Sequence, residues 1–204
     1  MNGLFHTKEM FQDLPNAEIC HISNFLSAKE CEELYQTFLS KSNWRQDQIT
    51  LFGKTHKVPR LTAFYGEKKA IYTYSGIEMK AHSWFDELLQ LKQKVDVECE
   101  SKFTSCLLNL YQSGQDSNGW HQDNEKELGL NPEIASVSLG GTRLFKLKHI
   151  TRKDLQTITI PLEAGSLLLM KGETQHYWKH CIPKTKKPVS PRINLTFRKI
   201  LQSV

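Results

Sequence analysis

Arg192-Ile193-Asn194-Leu195-Thr196-Phe197-Arg198 alternates without a break. In an extended chain successive side chains point to opposite faces, so Arg192, Asn194, Thr196 and Arg198 share one face and Ile193, Leu195 and Phe197 the other. The apolar face belongs against a core. The polar face has two possible settings: water, if the strand lies at a sheet edge, or the interior of a barrel. Inside a barrel two guanidinium groups are costly unless they meet an anion. A dicarboxylate suits that setting, because arginine grips a carboxylate through two parallel hydrogen bonds.

The same texture runs back to about residue 102. The stretches 104–111, 134–139, 143–148, 156–162, 166–170 and 192–200 are short, β-branched or alternating, and divided by Gly, Pro or polar turns. Before them the pattern is helical. Ser27 followed by Glu30 has the form of a capping box, with Cys31, Leu34, Tyr35 and Phe38 on one stripe. A second helix is expected from near Ser83 to Val95, with Trp84, Phe85, Leu88, Leu89, Lys92 and Val95 along one face. Packing helices ahead of an all-β core make a mainly β, α+β fold. A jelly roll (double-stranded β-helix) is the preferred core because its mouth can hold a metal and a small ligand, although strand pattern alone equally supports a sandwich. At 204 residues the chain reads as one domain, 1–204, with the core at about 102–200.

Composition narrows the class. Hydrophobic residues are 39% and charged residues 24%, as in soluble globular proteins. No apolar run approaches the roughly 18 residues of a membrane span, and residues 1–12 lack a basic region followed by an apolar one. The expectation is an intracellular monomer without a membrane partner, cytoplasmic in a bacterium and nuclear in a eukaryote. Cys20, Cys31, Cys99, Cys106 and Cys181 form no CxxC pair and leave one over, which points to free buried thiols. The net charge of +5 is compatible with a polyanion such as nucleic acid. Three basic clusters carry much of it: Lys54, Lys57 and Arg60; Lys146, Lys148, Arg152 and Lys153; Lys184, Lys186 and Lys187. Solvated loops would produce the same clusters.

His121-Gln122-Asp123 is the first chemical signal. On a strand its imidazole and carboxylate face one way and can grip one ion, but a lone His-x-Asp says little. His180 supplies a third ligand, completing the two-histidine, one-carboxylate facial set of non-haem iron(II), which leaves positions open for co-substrate and oxygen. His176 is the rival third ligand, with an outer-layer or surface role as the alternative. Zinc can take the same three ligands.

With these residues in order the chain resembles the AlkB family of iron(II)- and 2-oxoglutarate-dependent dioxygenases. The resemblance runs from about Gly53 to Ile200. It is carried by Asn109-Leu110-Tyr111, His121-x-Asp123, His180 and Arg192-x-Asn194-Leu-Thr-Phe-Arg198. It implies His121, Asp123 and His180 as iron ligands, and Arg192 on the distal carboxylate of 2-oxoglutarate. Asn109 and Tyr111 would hydrogen-bond that co-substrate, and Asn194 and Arg198 would support its metal-side end. The implied reaction consumes dioxygen and 2-oxoglutarate, yields succinate and carbon dioxide, and hydroxylates a methyl group on a base nitrogen, which then departs as formaldehyde.

Residues 43–76, turn-rich, aromatic and basic, read as a nucleotide-recognition lid. Leu51-Phe52-Gly53 looks like the finger of duplex-repairing relatives, with Phe52 filling the gap left by a flipped base and Arg60 on the basic rim. Tyr72-Thr73-Tyr74-Ser75-Gly76 also resembles that subgroup, where an aromatic at Tyr74 stacks on the base opposite His121. Tyr72 and Ser75 belong with it as substrate contacts. Glu125 is expected to face an exocyclic amine or a cationic ring, or else to be an exposed charge. The implied substrate is DNA bearing 1-methyladenine or 3-methylcytosine. RNA, a protein substrate, or a non-catalytic metal-bound nucleic-acid-binding module are the alternatives.

Overall fold

A computed structural model of the chain describes residues 7–11, 13–51, 53–67, 71–74 and 77–201. Strands β1 (Thr7–Met10) and β2 (Glu18–Ser23) precede helix α1 (Ala28–Lys41). A ribbon of β3 (Gln48–Leu51) and β4 (Lys54–Lys57), strand β5 (Leu61–Gly66) and a second ribbon of β6 (Ile71–Tyr74) and β7 (Ile77–Lys80) lead to α2 (Asp86–Cys99). Then come β8 (Ser105–Tyr111), β9 (Asn118–His121), β10 (Ile134–Gly140), β11 (Arg143–His149), β12 (Ile158–Leu162) and β13 (Leu167–Lys171). A single helical turn, α3 (Thr174–Tyr177), precedes β14 (Trp178–Ile182) and β15 (Arg192–Arg198).

The alternating segment is β15, and it is not an edge. It lies between β10 and β8 in an antiparallel seven-stranded sheet ordered β1-β2-β13-β10-β15-β8-β5. A four-stranded antiparallel sheet, β12-β11-β14-β9, faces it. One apolar cluster, including Phe38, Leu88, Leu91, Val95, Val137, Ile193, Leu195 and Phe197, joins the helices to the outer face of the large sheet. A second, including Leu107, Ile134, Phe145, Leu162, Leu168 and Trp178, fills the space between the sheets. The two faces of β15 therefore look into different cores, and its polar face looks into the jelly roll.

Helix α1 starts where the capping box places it: Ser27 Oγ accepts from the Glu30 amide at 3.3 Å, and the Glu30 carboxylate accepts from the Ser27 amide at 2.8 Å. Helix α2 differs from its expected face. Its buried residues are Leu88, Leu91, Val95 and Cys99, at the helical repeat, while Leu89 is a turn of about 100° away and exposed. The lid region also holds more structure than its composition announces. Strand β5 pairs with β8 and is buried on both faces, so it lacks the alternation that marks a half-exposed strand. All five cysteines are free and buried. No helix among the described residues is long and apolar enough to cross a membrane.

Candidate active site

Every inward residue of β15 meets a partner set by strand register. Arg192 lies opposite Tyr111 and Gly140, Asn194 opposite Asn109 and Ser138, and Thr196 opposite Leu107 and Ser136. Arg192 donates from Nη2 to Ser138 Oγ at 2.9 Å, and Asn194 donates from Nδ2 to Ser136 Oγ at 2.7 Å. Arg192 is only 1% exposed, yet its Nε and Nη1 have no hydrogen-bond partner among the described residues. Burial, only partly offset by neighbouring Tyr111, brings its pKa down to about 10. A buried guanidinium with two donors that the described residues leave unsatisfied fits an anion such as a carboxylate. Arg192, Asn194, Asn109 and Tyr111 all line one cavity.

The other end of that cavity holds the metal-ligand candidates. One ligand atom each from His121, Asp123 and His180 lies within 4.8 Å of the others. Their rings and carboxylate arrive from different elements. His121 closes β9, and His180 is its register partner on β14. Asp123 lies beyond the end of β9, so strand alternation is not what aims it. It is aimed by Gln175 of α3, 0% exposed, whose Oε1 accepts from the Asp123 amide at 2.9 Å. Gln122 reinforces this loop by donating to the carbonyls of Gln175 and His176. His176 itself turns away, its Nε2 2.8 Å from Asn131 Oδ1, and is not in the ligand group.

The electrostatics fit a divalent cation. The His121 Nδ1 lies 2.7 Å from the Gly119 carbonyl, which assigns Nδ1 the proton and leaves Nε2 its lone pair. Burial holds the His121 pKa below the usual imidazole value, and burial and His121 bring His180 down to about 3, so both rings are neutral donors. Burial opposes the Asp123 charge, but the Arg198 guanidinium outweighs it and keeps the carboxyl well below the usual range. Arg198 Nη2 donates to Asp123 Oδ2 at 2.8 Å. Asp123 Oδ1 and His180 Nδ1 are buried and have no hydrogen-bond partner among the described residues. Such orphaned atoms are the donor set that iron(II) satisfies, so the residues present fit both the metal and 2-oxoglutarate.

A second cavity also reaches His121. Its wall includes Asp47, Arg60, Met79, Asn118 and Trp120, and it shares Asn118 and His121 with the first. Arg60 is buried here, donating from Nε to Asn109 Oδ1 at 2.7 Å, so it connects the two cavities. Tyr72 and Tyr74 are placed by their backbones, as register partners of Met79 and Ile77 in the second ribbon. Phe52 and Ser75 lie outside the described residues. Glu125 is half-buried at the start of a 3-10 turn and lines neither cavity.

Four contributors escaped the sequence reading. Gln175 and Met79 act through tertiary contacts that no local pattern announces. Trp120 stands beside a metal-ligand candidate, the one signal available for it. Arg143 is 3% exposed, and its guanidinium donates to the carbonyls of Ser113, Asp116 and Pro183. It thereby clamps two loops over the Tyr111 end of the first cavity, 5.6 Å from that ring.

A metal-ligand set at one end of a jelly-roll cavity and an idle arginine at the other define a 2-oxoglutarate-using iron oxygenase. Residues 18–198 match the model of the 2OG-Fe(II) oxygenase superfamily. The chain is 37% identical over 192 residues to the alpha-ketoglutarate-dependent dioxygenase alkB homolog 3 of Bos taurus, covering 90% of this chain and 66% of that protein. It is 35% identical over 191 residues to the DNA oxidative demethylase ALKBH2 of Bos taurus, covering 89% and 69% respectively. The chain thus spans about two thirds of the length of these relatives. A solved structure of OsALKBH1 shares the fold, with a TM-score of 0.64 at 18% identity over 95% of this chain and all of that one. The chain belongs to the AlkB family of 2OG-Fe(II) oxygenases.

Proposed function

We propose that this protein removes alkyl groups oxidatively from nitrogen-alkylated bases of DNA, 1-methyladenine and 3-methylcytosine among them, releasing formaldehyde. The observation that carries this reading is the position of His121, which borders both the cavity of Arg192 and the cavity of Arg60 and Trp120. A co-substrate in the first and a base in the second would meet at the metal. The name of the bovine ALKBH2 relative, a DNA oxidative demethylase, supports the same substrate class.

His121, Asp123 and His180 would hold iron(II), which with 2-oxoglutarate and dioxygen supplies oxidative decarboxylation and transfer of one oxygen atom to a substrate C–H bond. The protein's part is placement. Arg198 keeps Asp123 ionised and oriented. Arg192, braced by Ser138, takes the distal carboxylate, while Asn109, Tyr111 and Asn194 hydrogen-bond the co-substrate from the same cavity wall. Phe145 stacks on His180 at 5.1 Å and, with Leu107 and Leu162, keeps that wall dry. The hydroxymethyl product on a ring nitrogen breaks down by itself to formaldehyde and the restored base. The protein works as a monomer, with Phe52 as a plug in duplex substrates.

The test incubates anaerobically purified protein with iron(II), 2-oxoglutarate, oxygen and single- or double-stranded oligonucleotides carrying 1-methyladenine, and follows methyl loss by mass spectrometry. Methyl loss that disappears in Asp123→Ala is the expected result. Succinate formation without methyl loss would move the substrate to RNA or protein.

A further inference from the structure

The four-stranded sheet has a one-signed outer face. Its strands contain no aspartate or glutamate, and Lys146 and Lys148 alternate with the buried Phe145 and Leu147. Lys179 is the direct register partner of Lys148, so the two share that outer face. Like charges directly opposite in an antiparallel pair are unfavourable. None of the three lysines forms an ion pair among the described residues. An anion laid along the face would offset that repulsion.

Trp120 adjoins this face. It is 40% exposed, Lys148 Nζ sits over one face of its ring at 4.4 Å from the centroid and leaves the other face to a base, and it forms part of the second cavity's wall beside His121. The register shift between β9 and β14, between His180 and Ile182, breaks the regular alternation here. An indole at a cavity mouth flanked by cations is the composition of a single-strand stacking platform, where a base takes the π-face and phosphates take the charge. A folded protein partner would need acidic groups matched to fixed lysine positions, whereas a strand supplies one phosphate for every base.

We propose that Trp120 stacks on the base next to the one held at the metal, and that Lys148 and Lys179 carry the phosphates of that strand. The inference rests on the dealkylase reading and extends it: the preferred substrate segment is single-stranded on the side of the target that meets Trp120, because a paired neighbour stays stacked in its own helix.

The experiment uses protein loaded anaerobically with iron(II) and 2-oxoglutarate, with affinities read by fluorescence anisotropy on a single-stranded DNA oligonucleotide containing one 1-methyladenine. A second oligonucleotide has abasic sites on both sides of that base. Wild type should bind the second about tenfold more weakly, the size expected for loss of one base–aromatic stack. Trp120→Ala should lose about tenfold on the intact strand and nothing further on the abasic one, while Trp120→Phe keeps most of the affinity. Lys148→Ala and Lys179→Ala should each lower the slope of log affinity against log salt by about 0.7. The affinity of each variant for 2-oxoglutarate, from the anaerobic charge-transfer band, is measured alongside. Wild-type affinity in Trp120→Ala, or a parallel loss of 2-oxoglutarate affinity, overturns the platform and leaves Trp120 a free indole or a prop for His121. Methyl removal by a wild type whose binding ignores flanking bases removes the platform alone. A wild type that binds no nucleic acid removes the platform and the dealkylase reading together.

Discussion

The inward face of β15 and the two ribbons that precede α2 contrast in how they are held. β15 is paired on both sides, each of its residues is buried, and its Arg192 and Asn194 bond to serines of the neighbouring β10. Among the described residues each ribbon pairs only with itself, β3 with β4 and β6 with β7. A two-stranded ribbon contributes little stability of its own. On the proposed function the difference would separate two tasks, with ligation and co-substrate binding on a doubly paired strand and the choice of substrate on ribbons that pair with themselves.

The sharpest way to break the contrast is to strip charge from the rigid side. In metal-free protein Arg198→Met leaves the Asp123 carboxylate buried without its main counter-charge, and urea unfolding should show a loss of about 3–5 kcal/mol. A loss below 1 kcal/mol would mean that the carboxylate is held by something else. Arg192→Met should weaken 2-oxoglutarate binding about a hundredfold in an anaerobic titration, as expected for losing a charge-assisted pair worth about 2.7 kcal/mol, with nucleic-acid affinity unchanged. On the adaptable side, Phe52→Ala should slow repair of duplex substrate about tenfold and of single strands little, because only a duplex needs its gap filled. Equal slowing on both would sink the plug.

The smallest effect belongs to neither region and serves as a control. Ser27→Ala should cost about 1 kcal/mol through loss of the α1 cap. Hydrogen bonds from Lys94 first and Ser27 next hold the Glu30 pKa at about 2, below its ordinary 4.5. A depressed carboxyl contributes stability that is complete above the unfolded pKa and lost as pH falls through the folded one. Acid titration of stability between about pH 4.5 and 2 should therefore be shallower in Ser27→Ala than in wild type.

What could be read from sequence follows the same division. The face of β15, the capping box of α1 and the His121-x-Asp123 spacing are local patterns, and the structure brings the polar face of β15 together with His121, Asp123 and His180 in one cavity, although Asp123 lies beyond the end of its strand. Strand β14 escaped because Trp-Lys-His-Cys-Ile follows directly on a helical turn and its buried and half-buried residues do not alternate. Gln175 escaped because its work is one hydrogen bond to the amide of Asp123, and Arg143 because its partners are backbone carbonyls, which no side-chain pattern encodes. In the ribbons, turn-rich composition hid paired strands.

The residue order within β15 has one more consequence. Arg198 steadies the carboxylate of the metal set, and Arg192, which on the proposed function meets the far end of the co-substrate, is six positions away on the same strand. The strand is therefore a ruler with fixed gradations. Slipping it by one residue would turn every charge into the apolar core, so its smallest usable adjustment is two residues, about 6.6 Å. That step is far coarser than the length one methylene adds to a dicarboxylate. On that reading co-substrate length is set by backbone geometry, and a longer homologue such as 2-oxoadipate would not be accommodated by small drift of this strand.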